Sequence, residues 1–197
     1  AFALPILENI KGGAKSPKAI ILAPTRELAM QVSTEISSLS PNKKMRVTTV
    51  YGGQAIGGQI RELSRGVDIV VGTPGRVLDL IERRVLKLGD IEYFILDEAD
   101  EMLNMGFIDD IERILQTSGD KKNVLLFSAT MPARIKNLSK KYMKNQIVLE
   151  AKKSKVNSDL VEHVFYKVKQ SDKFDALVRI VYSLDFFYGI VFCKTKA

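Results

Sequence analysis

The sequence has few of the residue types that form covalent cross-links or metal sites. Of its 197 residues, one is a cysteine, Cys193, and one is a histidine, His163. A single cysteine excludes an internal disulfide and a thiolate metal cluster, which suits a reducing compartment, so we expect a cytoplasmic protein. We interpret Cys193 as a small core residue after an apolar strand, and His163 as a solvated or capping residue.

Long apolar runs are also missing. None approaches the roughly 20 residues that a membrane-spanning helix needs, and the first ten residues carry Glu8 and no basic leader. The hydrophobic fraction of 46% is nevertheless that of a folded protein. The sequence therefore predicts a globular chain with no membrane association.

Positive charge is concentrated in one segment. Residues 132–155 hold eight of the 30 Lys and Arg residues and one of the 23 Asp and Glu residues, so the whole net charge of +7 lies there. Such a segment either attracts polyanions by releasing their counterions or is a solvated helix face followed by a charged linker.

Apolar runs alternate with helical patterns along most of the chain. Runs typical of strands lie at 18–24, 45–53, 67–74, 91–98, 123–130 and 146–150. Apolar residues at helical spacing lie at 26–39, 56–64, 76–83, 102–116 and 133–142. Nearly all-apolar strands separated by amphipathic helices predict an α/β fold with a mostly parallel sheet flanked by helices.

The composition changes after residue 150. The basic segment AKKSKVNS, residues 151–158, predicts a linker, so that residues 1–150 form a first domain. A new strand–helix–strand pattern follows in LVEHVFYKV, DKFDALVRIVYSL and YGIVFCKTK. Residues 159–197 are thus predicted to be the beginning of a second, incomplete domain.

Acidic residues end one of the predicted strands. The run IEYFIL leads directly into Asp97, Glu98 and Asp100. An aspartate at a strand end can hold Mg²⁺, and the adjacent glutamate can then act on a water molecule. The alternative is that Asp97 caps a helix that begins near Asp100.

Turns that suit anions follow the other strands. Backbone N–H groups at a helix start attract anions, and glycine allows a ligand to approach the backbone closely. The candidate residues are Pro24, Thr25, Arg26, Gly52, Gly53, Thr73, Gly75 and Arg76. Ser128 and Thr130 end the fifth strand, where they are either functional or an ordinary helix start before Pro132.

The motifs PTRELA, GG, TPGR, DEAD and SAT occur in this order, and together they resemble the DEAD-box RNA helicases. The resemblance extends to VDIVVGTPGRVLDLI and YFILDEADEMLNMGF, and IVFC resembles the family's motif IV. It implies a RecA-like α/β domain, the start of a second RecA-like domain, and the cofactors ATP and Mg²⁺. The partner it implies is RNA, bound mainly through the sugar–phosphate backbone.

The resemblance also implies a role for each candidate residue. Asp97 would hold Mg²⁺ through water, and Glu98 would orient the hydrolytic water, so both are cofactor-binding and catalytic. Asp100, Ser128 and Thr130 would link the nucleotide state to RNA binding. The eight residues of the anion-binding turns would lie against the RNA backbone.

The sequence lacks two motifs of the family pattern. It contains no GxxxxGK[ST] loop, the element that holds the β- and γ-phosphates of ATP, and no HRxGRxxR motif. We therefore expect an interior piece of a helicase that alone hydrolyses ATP negligibly. The alternative function is a non-catalytic nucleic-acid-binding module that retains half of an ATPase site.

Overall fold

The computed structural model describes residues 2–40, 45–151, 162 and 164–193. By internal contacts, the chain divides into two compact units, Ala1–Val148 and Leu149–Ala197. Within the described residues, no helix is both long and apolar enough to cross a membrane.

The first unit contains a five-stranded parallel sheet with the order β2-β3-β1-β4-β5. The strands are β1 (Ala19–Leu22), β2 (Val47–Val50), β3 (Ile69–Gly72), β4 (Tyr93–Leu96) and β5 (Asn123–Leu126). β1 lies at the centre and pairs with β3 and β4, with Ile20 opposite Val70 and Phe94. Its four residues are all buried, as expected for a strand covered on both faces.

Seven helices are described in this unit. They are α1 (Ala3–Asn9), α2 (Arg26–Ser38), α3 (Ile56–Ser64), α4 (Pro74–Glu82), α5 (Ala99–Asn104), α6 (Ile108–Thr117) and α7 (Ala133–Tyr142). Ile21 and Ile95 face a core completed by α1 and α2. Ile20 and Phe94, on the opposite face, meet a larger core built by α3 to α7. The alternation of side chains along each strand thus produces three layers.

The helix predicted over residues 102–116 is wrong as a single element. The structure has two helices, α5 and α6, separated by Gly106 with φ of +83°. A glycine adopts this left-handed conformation without steric strain, and the conformation ends α5.

The strand predicted at 146–150 is also wrong. These residues form no ladder, and the exposures of Ile147 and Leu149 are 79% and 91%. A strand needs backbone hydrogen bonds to a neighbour, and β5, at the edge of the sheet, pairs with β4 alone among the described strands.

The second unit contains a 3-10 turn at Gln170–Asp172 and a helix α8 (Lys173–Tyr182). Strands predicted in LVEHVFYKV and YGIVFCKTK are absent where these runs are described, at residues 162, 164–168 and 188–193. Apolar side chains such as Phe165 and Phe192 are about nine-tenths exposed, 89% and 90%, so no sheet neighbour covers them. Cys193 is exposed, so its interpretation as a core residue is wrong. His163 and linker residues 152–158 lie outside the described residues.

The described part of the basic segment has acidic neighbours. On α7, the Lys141 ammonium lies 2.8 Å from the Glu112 carboxylate of α6. Arg134 lies 3.8 Å from Asp109 of the same helix, with both side chains well exposed. This arrangement favours a solvated helix face, because part of the positive charge is already balanced by α6.

Candidate functional site

The carboxyl ends of the five strands bring the sequence motifs to one edge of the sheet. Backbone hydrogen bonds fix where each loop begins: Thr73 N–H donates to Val50 O (3.0 Å), Asp97 N–H to Leu22 O (2.9 Å) and Phe127 N–H to Leu96 O (2.8 Å). We call this the motif edge, and it comprises Pro24–Arg26, Gly52–Gly53, Thr73–Arg76, Asp97–Asp100 and Ser128–Thr130.

Asp97 is the first residue beyond β4. Its side chain is half-buried, and Oδ1 accepts a hydrogen bond from Glu98 N–H at 3.1 Å. Burial raises the pKa of the Asp97 carboxyl, and this hydrogen bond offsets only part of the effect. The N-cap position of α5 belongs to Glu98, whose side chain forms no capping hydrogen bond. The capping alternative for Asp97 is therefore wrong.

Glu98 makes the turn from β4 into α5 in a left-handed backbone conformation, with φ of 51° and ψ of 52°. A non-glycine residue in this region costs about 1–2 kcal/mol. The turn is tied to the neighbouring strand because Ala99 N–H donates to Phe127 O at 3.0 Å. The Glu98 side chain is exposed at the motif edge, beside the half-buried Asp97.

This pair suits Mg²⁺ bound through water. Mg²⁺ keeps several of its waters and needs only one or two carboxylates from a protein. In the part of the chain that the structure describes, no group of three or more His, Cys, Asp or Glu residues could form a complete metal cage. Asp97 and Glu98 therefore fit an ion that is shared with a ligand better than an ion held by the protein alone.

Asp100 and Thr130 join the acidic turn to the end of β5. The Thr130 N–H and its hydroxyl both donate to Asp100 Oδ2 at 2.8 Å. Asp100 N–H donates to Ser128 Oγ at 3.1 Å, and the Ser128 hydroxyl donates to Thr130 O at 2.6 Å. Although burial alone would raise the pKa of Asp100, the hydrogen bonds lower it to about 2.

These bonds decide between the alternatives for Ser128 and Thr130. Pro132 occupies the N-cap position of α7, where no side chain forms a capping hydrogen bond. Neither residue is thus an ordinary helix cap. The structure brings Asp100, Ser128 and Thr130 into one hydrogen-bonded group.

The turns on the other half of the motif edge expose backbone and small side chains. Thr25 caps α2, with Oγ1 accepting from Leu28 N–H at 3.2 Å, whereas Thr73 precedes α4 without a capping bond. Gly52 and Gly75 are exposed, and a Cβ atom added to either would meet nothing within 4 Å. Gly53 has φ of +77°, which favours glycine.

The two arginines of these turns contact their neighbours. The Arg26 guanidinium lies over the Tyr51 ring, 4.7 Å from its centroid. Arg76 is only 12% exposed, and it donates to Gln59 Oε1 at 3.1 Å and to Gln54 O at 3.0 Å. Pro24 is buried.

The sequence matches a known family over most of its length. The family model described as DEAD/DEAH box helicase matches residues 1–138. The chain belongs to this family.

Full-chain relatives support the same assignment. A probable ATP-dependent RNA helicase of Methanocaldococcus jannaschii is 50% identical over 196 residues, which is 100% of this chain and 52% of that protein. The ATP-dependent RNA helicase CshA of Listeria monocytogenes is 48% identical, and the match covers 38% of it. The chain thus spans about half the length, or less, of these curated relatives.

Solved structures of DEAD-box proteins share the fold. The crystal structure of a DEAD box protein from Methanococcus jannaschii has a TM-score of 0.74 at 50% identity, covering 99% of this chain and 52% of that one. The yeast DEAD-box splicing factor Prp28 has a TM-score of 0.67 at 32% identity, covering 73% and 36%. The predicted RecA-like fold of the first unit is confirmed.

The roles of individual residues in this DEAD-box chain stay predictions. Every motif lies at the motif edge, as expected, but two residues that contact these turns were not singled out, Tyr51 and Gln59. Gln59 is 7% exposed in α3. Its position four residues before the buried Leu63 could have indicated that a polar side chain points inwards.

Proposed function

We propose that this DEAD-box chain is the core segment of an ATP-dependent RNA helicase, which couples Mg²⁺-ATP hydrolysis to RNA binding and local strand separation. The proposal is carried by one observation: the acidic turn and the anion-binding turns share one edge of a parallel sheet. Two relatives match the full length of this chain, and one is named as a probable ATP-dependent RNA helicase and the other as an ATP-dependent RNA helicase. These names support the proposal.

Asp97 and Glu98 have separate tasks in this proposal. Asp97, half-buried and tied to the backbone, holds Mg²⁺ through water, while the exposed Glu98 orients and deprotonates the attacking water. When bound, Mg²⁺-ATP supplies the phosphoryl group that is transferred. The hydrogen bonds among Asp100, Ser128 and Thr130 connect this turn to the end of β5. A change at the nucleotide therefore alters the loop that follows β5.

The RNA backbone contacts the other half of the motif edge. Phosphates meet the uncapped N-terminus of α4 and the first turn of α2, where Thr25 caps one N–H, and the glycines leave room for the RNA backbone to approach. The proposed contacts are Thr25, Arg26, Gly52, Gly53, Thr73, Gly75 and Arg76, and the buried Pro24 shapes the turn beneath them. These contacts position the RNA without selecting bases.

ATP itself is only partly accommodated by this sequence. Mg²⁺ fits Asp97, but no GxxxxGK[ST] loop is present among the 197 residues to hold the phosphates. We therefore expect negligible RNA-stimulated ATP hydrolysis by this chain alone. Turnover that disappears in Asp97→Asn would contradict this expectation, and turnover that survives the substitution would indicate a contaminant.

RNA binding by the chain tests the proposal directly. Binding of a labelled single-stranded RNA is measured by fluorescence anisotropy for the wild type and for Gly75→Ala. The added methyl group has open space within the protein and lies in a helix, where alanine is favoured over glycine by about 1 kcal/mol. The variant is therefore expected to be at least as stable as the wild type while it binds RNA about tenfold more weakly, because the methyl group obstructs the close approach.

Gly89→Ala is the matched control. Gly89 is exposed, its added Cβ also meets nothing within 4 Å, and it lies before β4, at the opposite edge of the sheet. Unchanged RNA affinity is expected for this variant. Absence of RNA binding by the wild type, or equal weakening by both variants, would refute the proposed interface.

A further inference from the structure

Contacts among four residues connect three turns of the motif edge. The Arg26 guanidinium after β1 stacks on the Tyr51 ring, at 4.7 Å from its centroid. Gln59 Nε2 donates to Tyr51 O at 3.1 Å, and Gln59 Oε1 accepts from Arg76 Nη1 at 3.1 Å. One buried amide thus bridges the glycine-containing loop and the TPGR turn.

The loop that this amide supports is open to solvent, and residues 52–55 are all exposed. Residues 51–55, between β2 and α3, include Gly52 and Gly53, which have no side chains to pack. Glycine also loses more conformational freedom than any other residue when a loop becomes ordered. The loop backbone is held at both ends by side chains, because Gln59 binds Tyr51 O and Arg76 binds Gln54 O.

Arg76 is placed to act within the protein. Its side chain is 12% exposed, and its three nitrogen atoms face Gln59, the Gln54 carbonyl and, at 3.9 Å, the Asp79 carboxylate. A guanidinium has five N–H donors in a fixed plane, which suits it to hold several acceptors at once. Nothing in this arrangement requires a phosphate to complete it.

We infer that Gln59 and Arg76 are positioning residues, which hold the Gly52–Gly53 loop in the shape that receives the RNA backbone. This inference rests on the proposed function, since it concerns the same edge. It narrows the role of Arg76 from a phosphate contact to a support for neighbouring backbone. Gln59, with no net charge and 7% exposure, acts only through the groups that it binds.

The test is a double-mutant cycle on RNA affinity with Gln59→Met, Arg76→Met and both together. Each single substitution breaks the same amide–guanidinium contact, so each is expected to weaken RNA binding about fivefold to tenfold. The double variant is expected to bind more weakly than either single variant, but by less than the product of the two effects, because the shared contact is lost only once. Gln116→Met, an exposed glutamine at the C-terminal end of α6, is the matched control and should bind like the wild type.

Salt dependence separates support from direct contact. A phosphate contact by Arg76 would contribute about 0.7 to the slope of log affinity against log salt for a single strand. We expect Arg76→Met to change this slope by much less. A fall of about 0.7 together with a neutral Gln59→Met would overturn the inference and make Arg76 a direct phosphate contact.

Hydrogen exchange of residues 51–55 is measured on the same samples without RNA. Faster exchange in Gln59→Met than in Gln116→Met is expected, whereas equal exchange would overturn the inference. This readout stands even if the wild type binds no RNA, an outcome that would refute the proposed function instead. If Gln59→Met does not fold, Gln59→Glu is measured instead. Glutamate keeps the acceptor for Arg76 and removes only the donor to Tyr51 O, so faster exchange of residues 51–55 is again expected.

Discussion

The largest stability effect is expected at Asp68, far from the motif edge. This residue precedes β3, its side chain is 0% exposed, and its oxygens accept from Ala14 N–H (2.8 Å), Arg46 N–H (2.9 Å) and the Arg46 guanidinium (3.3 Å). Burial alone would raise the pKa of Asp68, but the Arg46 hydrogen bonds and charge keep it below its ordinary value. The carboxylate therefore joins the start of β3 to two other segments of the chain.

Asp68→Ala removes all of these acceptors at once. Each backbone N–H left without a partner costs about 1 kcal/mol or more, and the loss of a hydrogen bond to a charged group adds about 1.5 kcal/mol. Because Arg46 is 39% exposed, water can replace part of its loss, so we expect a total near 3–4 kcal/mol. For a chain of this size, the melting temperature should fall by about 10 °C.

The assay is urea unfolding followed by circular dichroism, with the same RNA-binding measurement on folded protein. Asp109→Ala is the control, because Asp109 is 87% exposed and its ion pair with Arg134, at 3.8 Å, lies at the surface. This variant should change the free energy of unfolding by less than about 0.5 kcal/mol. RNA affinity should be unchanged in both variants. A loss in Asp68→Ala no greater than that in Asp109→Ala would refute the assignment of Asp68 as a structural junction.

Three further predictions concern the strands and the motif edge. Gly72→Ala should lower the free energy of unfolding by about 1–3 kcal/mol, because the added Cβ would lie 2.5 Å from both the Cγ2 and the carbonyl oxygen of Val50. Gly57→Ala is the control, since its Cβ meets nothing within 4 Å. Equal free energies of unfolding for the two variants would contradict the predicted clash. Because the pKa of Asp100 lies at about 2, below its ordinary value, its bonds stabilise the fold above about pH 4, and this stabilisation is lost as the pH falls towards 2. We compare the free energies of unfolding of the wild type and Asp100→Asn in urea titrations. Allowing for solvent screening, the difference between them should shrink by about 1 kcal/mol from pH 6 to pH 2. A constant difference would show that the hydrogen bonds of Asp100 do not depend on its charge. Glu98→Asn should be up to about 1 kcal/mol more stable than Glu98→Gln in the same assay, because asparagine tolerates the left-handed conformation better; the reverse order would contradict strain at this turn.

Local sequence pattern was sufficient for most of the first unit. The helix from Ile56 to Ser64 and the helix from Ala133 to Tyr142 have the predicted bounds, because apolar residues at helical spacing coincide there with a face that is buried. The five strands of the sheet were likewise predicted as short, nearly all-apolar runs. Since parallel strands expose their carboxyl ends at one edge, the gathering of the motifs there also followed from the order of the elements.

Sequence patterns gave wrong predictions for strands that need a neighbouring strand in order to form. Residues 146–150 and the described parts of LVEHVFYKV and YGIVFCKTK have the composition of strands, yet they form none, because a strand exists only when another strand accepts its hydrogen bonds. The break at Gly106 was missed for a different reason, since one left-handed residue can divide a continuous amphipathic pattern.

The amino-acid sequence by itself determined the family, the α/β fold and the set of residues at the motif edge, because these depend on the type and order of residues. Only the tertiary structure decided which of them touch. It placed Thr130 on Asp100, left Glu98 in a strained turn, and enclosed Arg76 between Gln59 and the Gln54 carbonyl. Such contacts join residues that are distant in sequence, and they depend on distances and directions of hydrogen bonds that residue spacing alone does not contain.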